Sequence, residues 1–329
     1  MESALPAATN EALRLRAATM KRIRAFFDQR GFCEVDTPLL SADSVVDRHL
    51  DPVPVVLPHD ASHLSVGRAL WLQTSPEFAM KRLLCGGMSA IYQITHAFRI
   101  GERGHQHNPE FCMLEWYRVG DDLHAGMALL AEFAGEFLAK DCTQISFLQA
   151  FRDVLGIDPL RASVHELAGV ANQHEVALPE RAEGDRELLV ECLLSELVQP
   201  TLGQTGPVIV YDYPGWQSAL AKTRSDSGVA GDRVEVAERF ELFYRGVELA
   251  NGYHELTDAD ELRRRSQSIN QLRREDGKFE IDDKSRLWEA MRIGMPACSG
   301  VALGFDRLMM VLMQVDTIDR VIPFPIERA

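Results

Sequence analysis

The chain has 329 residues, 46% of them hydrophobic and 26% charged, the balance of a globular protein with one large domain or two ordinary ones. No apolar run approaches the ~20 residues of a membrane-spanning helix, and the N-terminal stretch MESALPAATNEALRLRAATM lacks the basic start and apolar core of a secretory leader. The net charge of −14, from 35 basic and 49 acidic side chains, weighs against a broad grip on nucleic-acid phosphates. A cytoplasmic, bacterial-type enzyme is the expectation. The six cysteines (Cys33, Cys85, Cys112, Cys142, Cys192 and Cys298) are scattered with no C-x-x-C pair, against a zinc site or a disulfide framework. They are expected to be reduced and mostly buried.

Leu13, Met20, Ile23 and Phe27 recur at helical spacing and predict a helix from about Glu11 to Arg30, with Gly31 as its stop. An extended segment, Phe32 to Pro38, follows. Residues 90–118 read as two strands around a polar loop. Ile91 to Ile94 leads to Ala97-Phe98-Arg99, and the loop from Ile100 to Pro109 carries Glu102, Arg103, His105, His107 and Asn108. Alternation from Phe111 to Arg118 puts Phe111, Met113, Glu115 and Tyr117 on one face. From about Leu123 to Leu202 the pattern is helical, with Leu188, Leu189, Cys192, Leu193 and Leu197 on one stripe. Residues 208–213 predict a buried strand ending at Pro214-Gly215, and Ser225 to Arg233 a mobile loop.

Residues 235–255 predict a β-hairpin with Arg245-Gly246 as its turn, pairing Tyr244 with Val247 and Phe243 with Glu248. That register sets Glu241 and Glu248 diagonally on one face. Two carboxylates so placed repel each other unless they share a divalent cation, so a metal site is favoured over a purely structural pair. Finally, Ser299 to Gly304 is a small-residue strand running into a helix at Phe305 to Leu312, with Arg307 in its first turn. Gly304 allows a flat ligand to approach the backbone closely.

These segments, in this order, resemble the three signature motifs of class II aminoacyl-tRNA synthetases. The segment ending at Pro38 resembles motif 1, which forms the dimer interface in that family. Phe98-Arg99 through His107-Asn108-Pro109-Glu110-Phe111 to Glu115 resembles motif 2, and Gly300 to Arg307 resembles motif 3. Thr74-Ser75-Pro76-Glu77, the motif 2 end Met113-Leu114-Glu115-Trp116-Tyr117-Arg118 and the stretch Glu248-Leu249-Ala250-Asn251-Gly252-Tyr253-His254-Glu255-Leu256 are similar to the lysyl branch. Together with Ser-Gly-Val-Ala-Leu-Gly in motif 3, they resemble its short paralogues, which attach (R)-β-lysine to a lysine of elongation factor P. The resemblance implies an α+β fold, a mixed and mostly antiparallel sheet flanked by helices. It also implies a single catalytic domain over 1–329 with a helical insertion at about 123–205, no anticodon-binding domain, and a homodimer. Motif 1 is complete by residue 38, which leaves no room for the oligonucleotide-binding barrel of tRNA-charging lysyl enzymes.

The resemblance further implies ATP and Mg²⁺ as cofactors, with an acyl-adenylate formed first and an amide on the acceptor protein second. Arg99 would hold the α-phosphate and the substrate carboxylate, and Arg307 would lie near the γ-phosphate and adenine. Ile100, Gly101, Glu102, His107, Asn108, Glu248, Leu249 and Gly304 match positions around ATP, and Glu241 with Glu248 would hold Mg²⁺. The spacing Arg99-Ile100-Gly101-Glu102 departs from the common Arg-x-Glu by one residue, which leaves the partner of Glu102 open. Glu77, Glu115 and Glu255 are candidates for the substrate ammonium groups, with Tyr117 and Tyr253 beside the methylene stem and Ser75, Pro76 and Asn251 nearby. Ala302 stands where tRNA-charging lysyl enzymes commonly have glycine, and its methyl would favour an amino group moved to the β-carbon. Two rivals remain: a truncated lysyl-tRNA synthetase that charges tRNA, and a catalytically silent regulator that only binds.

Overall fold

The computed structural model describes residues 4–182, 184–227, 233–281 and 285–329. They divide into two compact units, one formed by residues 1–121 and 255–329 and the other by residues 122–254. The first unit opens with helix α1 (Asn10–Asp28), capped by the Thr9 hydroxyl, which accepts from the Ala12 amide. Its buried stripe is Ala12, Thr19, Ile23, Phe26 and Phe27, whereas Leu13 and Met20 are only half-buried, so the core-facing side is rotated slightly from the predicted one. Gly31, at φ +75°, ends the helix as predicted.

The extended segment forms only the two-residue strand β1 (Cys33–Glu34); Pro38, beyond it, is exposed. A small sheet follows, β2 (Leu40–Ser41), β3 (Pro54–Pro58) and β4 (Gly67–Leu72), in the order β2-β4-β3. Helix α2 (Glu77–Cys85) leads to β5 (Ala90–Phe98) and β6 (Glu110–Val119), antiparallel to each other around the predicted polar loop, while β1 runs parallel to β5. β6 is buried on both faces. Trp116 packs on Phe27 of α1 with ring centroids 5.2 Å apart, and Tyr117 packs beside Met80 and Leu84 of α2. That double cover explains why the strand reads as almost continuously apolar yet carries a glutamate.

The second unit begins with α3 (Leu123–Leu138), β7 (Thr143–Ser146), α4 (Phe147–Leu155), α5 (Val164–Gln173) and α6 (Arg186–Leu193). Within the predicted helical stretch, β7 is an exception: it pairs parallel with β8 (Val208–Pro214) from Thr143↔Val208 to Ser146↔Tyr211. Strands β9 (Thr223–Ser227) and β10 (Arg233–Tyr244) are antiparallel neighbours, so Ser225 to Ser227 and Arg233 belong to strands rather than to the expected mobile loop. Residues 228–232 of that expectation lie outside the described residues. β10 and β11 (Val247–His254) form the predicted hairpin, with Arg245 and Gly246 both at positive φ, 53° and 74°. Tyr244↔Val247 and Phe243↔Glu248 pair as read from the turn. A bulge between Leu242 and Phe243 then shifts the register, so Glu241 stands opposite Asn251 rather than Ala250. Leu189, Val190, Leu193 and Val198 fill this unit's core with Phe147, Phe151 and Phe243.

The chain returns to the first unit with α7 (Ala259–Glu275), α8 (Arg286–Gly294), β12 (Cys298–Gly304) and α9 (Phe305–Met313). β12 pairs antiparallel with β6 over its whole length, setting Gly300 opposite Tyr117, Ala302 opposite Glu115 and Gly304 opposite Met113. Both units therefore carry mixed, mostly antiparallel strands flanked by helices. Only Cys112 and Cys298 are buried; Cys85, Cys142 and Cys192 are half-buried and Cys33 is exposed on β1, so the expectation of mostly buried cysteines is corrected. Among the described residues no helix is long and apolar enough to cross a membrane.

Candidate active site

Three glutamates meet inside the first unit. Glu77 is the first residue of α2, preceded by the buried Pro76, and its amide is capped by the Ser75 hydroxyl at 3.0 Å. Glu115, 1% exposed on β6, accepts from Ser75 Oγ at 2.8 Å and from Tyr117 Oη at 2.6 Å. Glu255, also 1% exposed, follows β11 in the chain and is anchored through its amide to the Cys298 carbonyl at 2.9 Å. The gap that admits them is Gly300. A methyl group there would lie 2.2 Å from the Tyr117 ring and 2.4 Å from the Glu255 carboxylate.

One residue absent from the sequence reading completes the cluster. Lys81, one turn beyond Glu77 and 2% exposed, donates to Glu77 and lies 2.6 Å from Glu255. Burial by itself would push its ammonium down, but Glu255 and Glu77 outweigh that and hold it above the usual lysine range. Burial, helped by the charge of Glu77, pushes Glu115 up to about 8. Glu255 also rises to about 8, chiefly by burial, although Lys81 opposes the shift. Tyr117 is driven well above the phenol range by the same burial and by the Glu115 charge. A buried acidic cluster with one internal cation calls for further positive charge.

The electrostatics set a sign for stability. Glu115 and Glu255 hold their protons up to about 8 in the folded chain against 4.5 for a free glutamate. Their contribution is therefore fully present below 4.5 and is lost as the pH rises through about 8. The melting temperature of the wild type minus that of Glu115→Gln is expected to fall across that window. A difference that stays flat would mean that Glu115 titrates as an ordinary carboxylate.

The two arginines of the motifs stand at strand and helix ends. Arg99, just past β5, donates to the Thr74 carbonyl at 3.3 Å, stacks over the Phe111 ring at 4.9 Å and meets Glu102 at 3.4 Å. Glu102 thus has a partner inside the protein, the guanidinium itself. Arg307, in the first turn of α9, has Nη2 2.6 Å from His107 Nε2, which ties the 100–109 loop to the β12–α9 junction. A β-carbon at Gly304 would come no closer than 3.6 Å to its nearest neighbour, the Arg307 side chain. Asn108 is buried and its amide is spent on the backbone, donating to the Glu110 carbonyl and accepting from the Ile326 amide. Ile100 is exposed and Gly101 sits at φ +80°, so these two shape the loop tip. Asp306 is buried and accepts from the Cys112 amide at 2.7 Å and from Arg16, fixing α9 to β6 and α1.

In the second unit, Glu241 is buried and accepts from Tyr213 Oη at 2.5 Å and from Arg239. Burial raises its pKa, Arg239 opposes that rise and the charge of Glu248 adds to it, so the two carboxylates feel each other although the bulge has shifted the predicted register. Each Glu241 oxygen keeps a second lone pair beyond the bond described, and hard carboxylate oxygens suit Mg²⁺, which takes few protein ligands and retains water or phosphate oxygens. Among the described residues there is no group of three or more His, Cys, Asp or Glu that would form an all-protein metal cage. On the same strand as Glu248, Asn251 donates to Tyr253 Oη at 2.8 Å and Leu249 is buried.

Residues 5–328 match the family model of tRNA synthetases class II (D, K and N). The chain belongs to the class II tRNA synthetases. Within that family it is similar to the elongation factor P–(R)-β-lysine ligase of Pasteurella multocida (strain Pm70), with 41% identity over 325 residues covering 98% of each chain. In this synthetase fold the structure brings Ser75, Glu77, Glu115, Tyr117 and Glu255 together, with Ala302 half-buried on the adjacent strand. Lys81 and Arg239 were missed. Lys81 stands four residues after Glu77 on a helical segment, the spacing of an ion pair, and that was the available signal. Arg239 and Glu241 alternate on one strand face, a signal of the same kind with period two.

Proposed function

We propose that the chain activates (R)-β-lysine with ATP and transfers it to a lysine side chain of elongation factor P. The carboxylate attacks the α-phosphorus and pyrophosphate leaves; the acceptor amine then attacks the acyl carbon and AMP leaves. The observation that carries this reading is the buried cluster of Glu77, Glu115 and Glu255, whose one internal cation is Lys81. A diamino acid brings the ammonium charge such a cluster needs, and the name of the relative supplies the acceptor. Arg99 binds the α-phosphate and substrate carboxylate, opposing the charge that grows on the phosphorus in the transition state. Arg307, with His107 beside it, binds the distal phosphates and adenine, and Asn108 shapes the loop around ATP through its backbone bonds. Glu102 orients Arg99.

Glu241 and Glu248 hold Mg²⁺, which when bound supplies positive charge to the phosphate oxygens. Tyr213 and Arg239 keep the Glu241 carboxylate oriented for it. Asn251, Tyr253 and Leu249, on the strand that carries Glu248, are the second unit's own candidates for substrate and nucleotide contacts. We read the whole chain as a single catalytic domain in which residues 123–205 are an insertion. A second copy of the chain is the expected partner: β1 is exposed, and beyond it Leu39 and Leu40 lie open at 40% and 39%. An elongation factor as acceptor sets the reaction in the cytoplasm.

The test is ATP–pyrophosphate exchange with β-lysine and α-lysine, followed by transfer of labelled amino acid to elongation factor P or to tRNA. Exchange favouring β-lysine with label on the protein is the expected result. Label on tRNA would establish the tRNA-charging reading instead, and no exchange with any amino acid would establish a binding-only role.

A further inference from the structure

We propose that Lys81 is a specificity-determining residue, a resident ammonium that fixes at two the number of substrate cations the acidic pocket accepts. This rests on the reading of the cluster as a diamino-acid site. The argument is one of geometry and charge. Lys81 reaches Glu77 on its own helix and Glu255 from a distant part of the chain, so one ammonium serves two carboxylates. Glu115 is held by neutral donors, the hydroxyls of Ser75 and Tyr117. With all three carboxylates ionised and Lys81 charged, the cluster lacks two positive charges, the number of ammonium groups on a diamino acid. A substrate with one ammonium leaves a buried carboxylate uncompensated, which is costly in a closed site.

The carboxylates offset this deficit among themselves by holding protons, the direction in which burial pushes Glu115 and Glu255. The charged and titratable groups that Lys81 faces are Glu77 and Cys85 on α2, Glu115 on β6, and Glu255, while Tyr117 on β6 faces the three carboxylates. A bound dication displaces those protons. Removing Lys81 deepens the deficit to three and raises the carboxylates further, so the substrate has to compete with more tightly held protons.

Pyrophosphate exchange measured from mildly acidic to mildly alkaline pH tests this with β-lysine and with 3-aminohexanoic acid, which keeps the β-amino group and lacks the second ammonium. Lys81→Met is expected to raise KM for β-lysine at neutral pH by ~10-fold, the equivalent of about one pKa unit. The fall in kcat should be smaller, and the KM–pH profile should move to higher pH. The double variant Lys81→Met/Glu77→Gln removes one charge of each sign and restores the deficit to two, so it should fold even if the single variant, with three buried carboxylates and no cation among them, does not. Its KM for β-lysine is expected to return to within ~3-fold of wild type, a fraction of the tenfold unit, with 3-aminohexanoic acid still excluded. A purely structural Lys81 would lower kcat and raise KM alike at every pH. That outcome, or a double variant as impaired as Lys81→Met, overturns the proposal while wild-type exchange stands. Absence of wild-type exchange with any diamino acid overturns the functional reading and this inference with it.

Discussion

Replacing Arg99 by alanine is expected to slow ATP–pyrophosphate exchange by about 10²–10³-fold, equivalent to ~2.7–4 kcal/mol of transition-state stabilisation. The guanidinium sits past the end of β5 on contacts of 3.3 and 3.4 Å to Thr74 and Glu102, with its central carbon over the Phe111 ring. Contacts that long are weak, and the stacking fixes direction more than energy. The melting temperature should therefore change little, because the side chain is partly exposed and its ion pair with Glu102 is marginal. Arg99→Lys should recover only part of the rate, since an ammonium cannot reproduce the planar fork that matches phosphate and carboxylate together. An alanine variant that exchanges at the wild-type rate would remove Arg99 from the chemistry.

The second large effect is expected at Gly300. A β-carbon there would lie 2.2 and 2.4 Å from two atoms of the Tyr117 ring and 2.4 Å from Glu255 Oε1. Neither neighbour is the loose end of a flexible chain: Tyr117 is packed against α2, and Glu255 is held by its ion pair with Lys81. Gly300→Ala therefore has to displace both, with an overpacking cost of ~1–3 kcal/mol and the loss of the geometry that presents Glu115 and Glu255. Amino-acid-dependent exchange should disappear, whereas binding of ATP alone, followed by quenching of a fluorescent nucleotide analogue, should persist. If the variant kept its KM for β-lysine, the glycine would not be what opens the pocket. Ala302, two residues on and half-buried, already carries its β-carbon, so exchange with glycine adds no clash and should be tolerated far better.

Much of this site was legible because its parts are local. Alternation along Phe111 to Arg118 set Glu115 and Tyr117 on one face, and in the structure the Tyr117 hydroxyl donates to Glu115. The Arg245-Gly246 turn fixed the hairpin register near it, and the small-residue run into Phe305 marked the β12–α9 junction that carries Arg307. The bulge was not legible, because the turn fixes the register only next to it and neither Leu242 nor Phe243 marks the shift. The short strand β7 was lost for a similar reason: four residues give too little period to outweigh the helical pattern around them, and their partner lies in β8.

What the sequence determined by itself was the order of elements and the residue types of the motifs, since turn chemistry and periodicity act between near neighbours. Only the tertiary structure decided which charges meet. Lys81 finds Glu255, Arg16 finds Asp306, and Arg273, wholly buried, reaches Asp51 and the carbonyls of Asp47 and Leu50. No local pattern encodes such pairs, because an ion pair is selected by the desolvation that folding imposes on both partners, and that burial exists only once distant segments have packed.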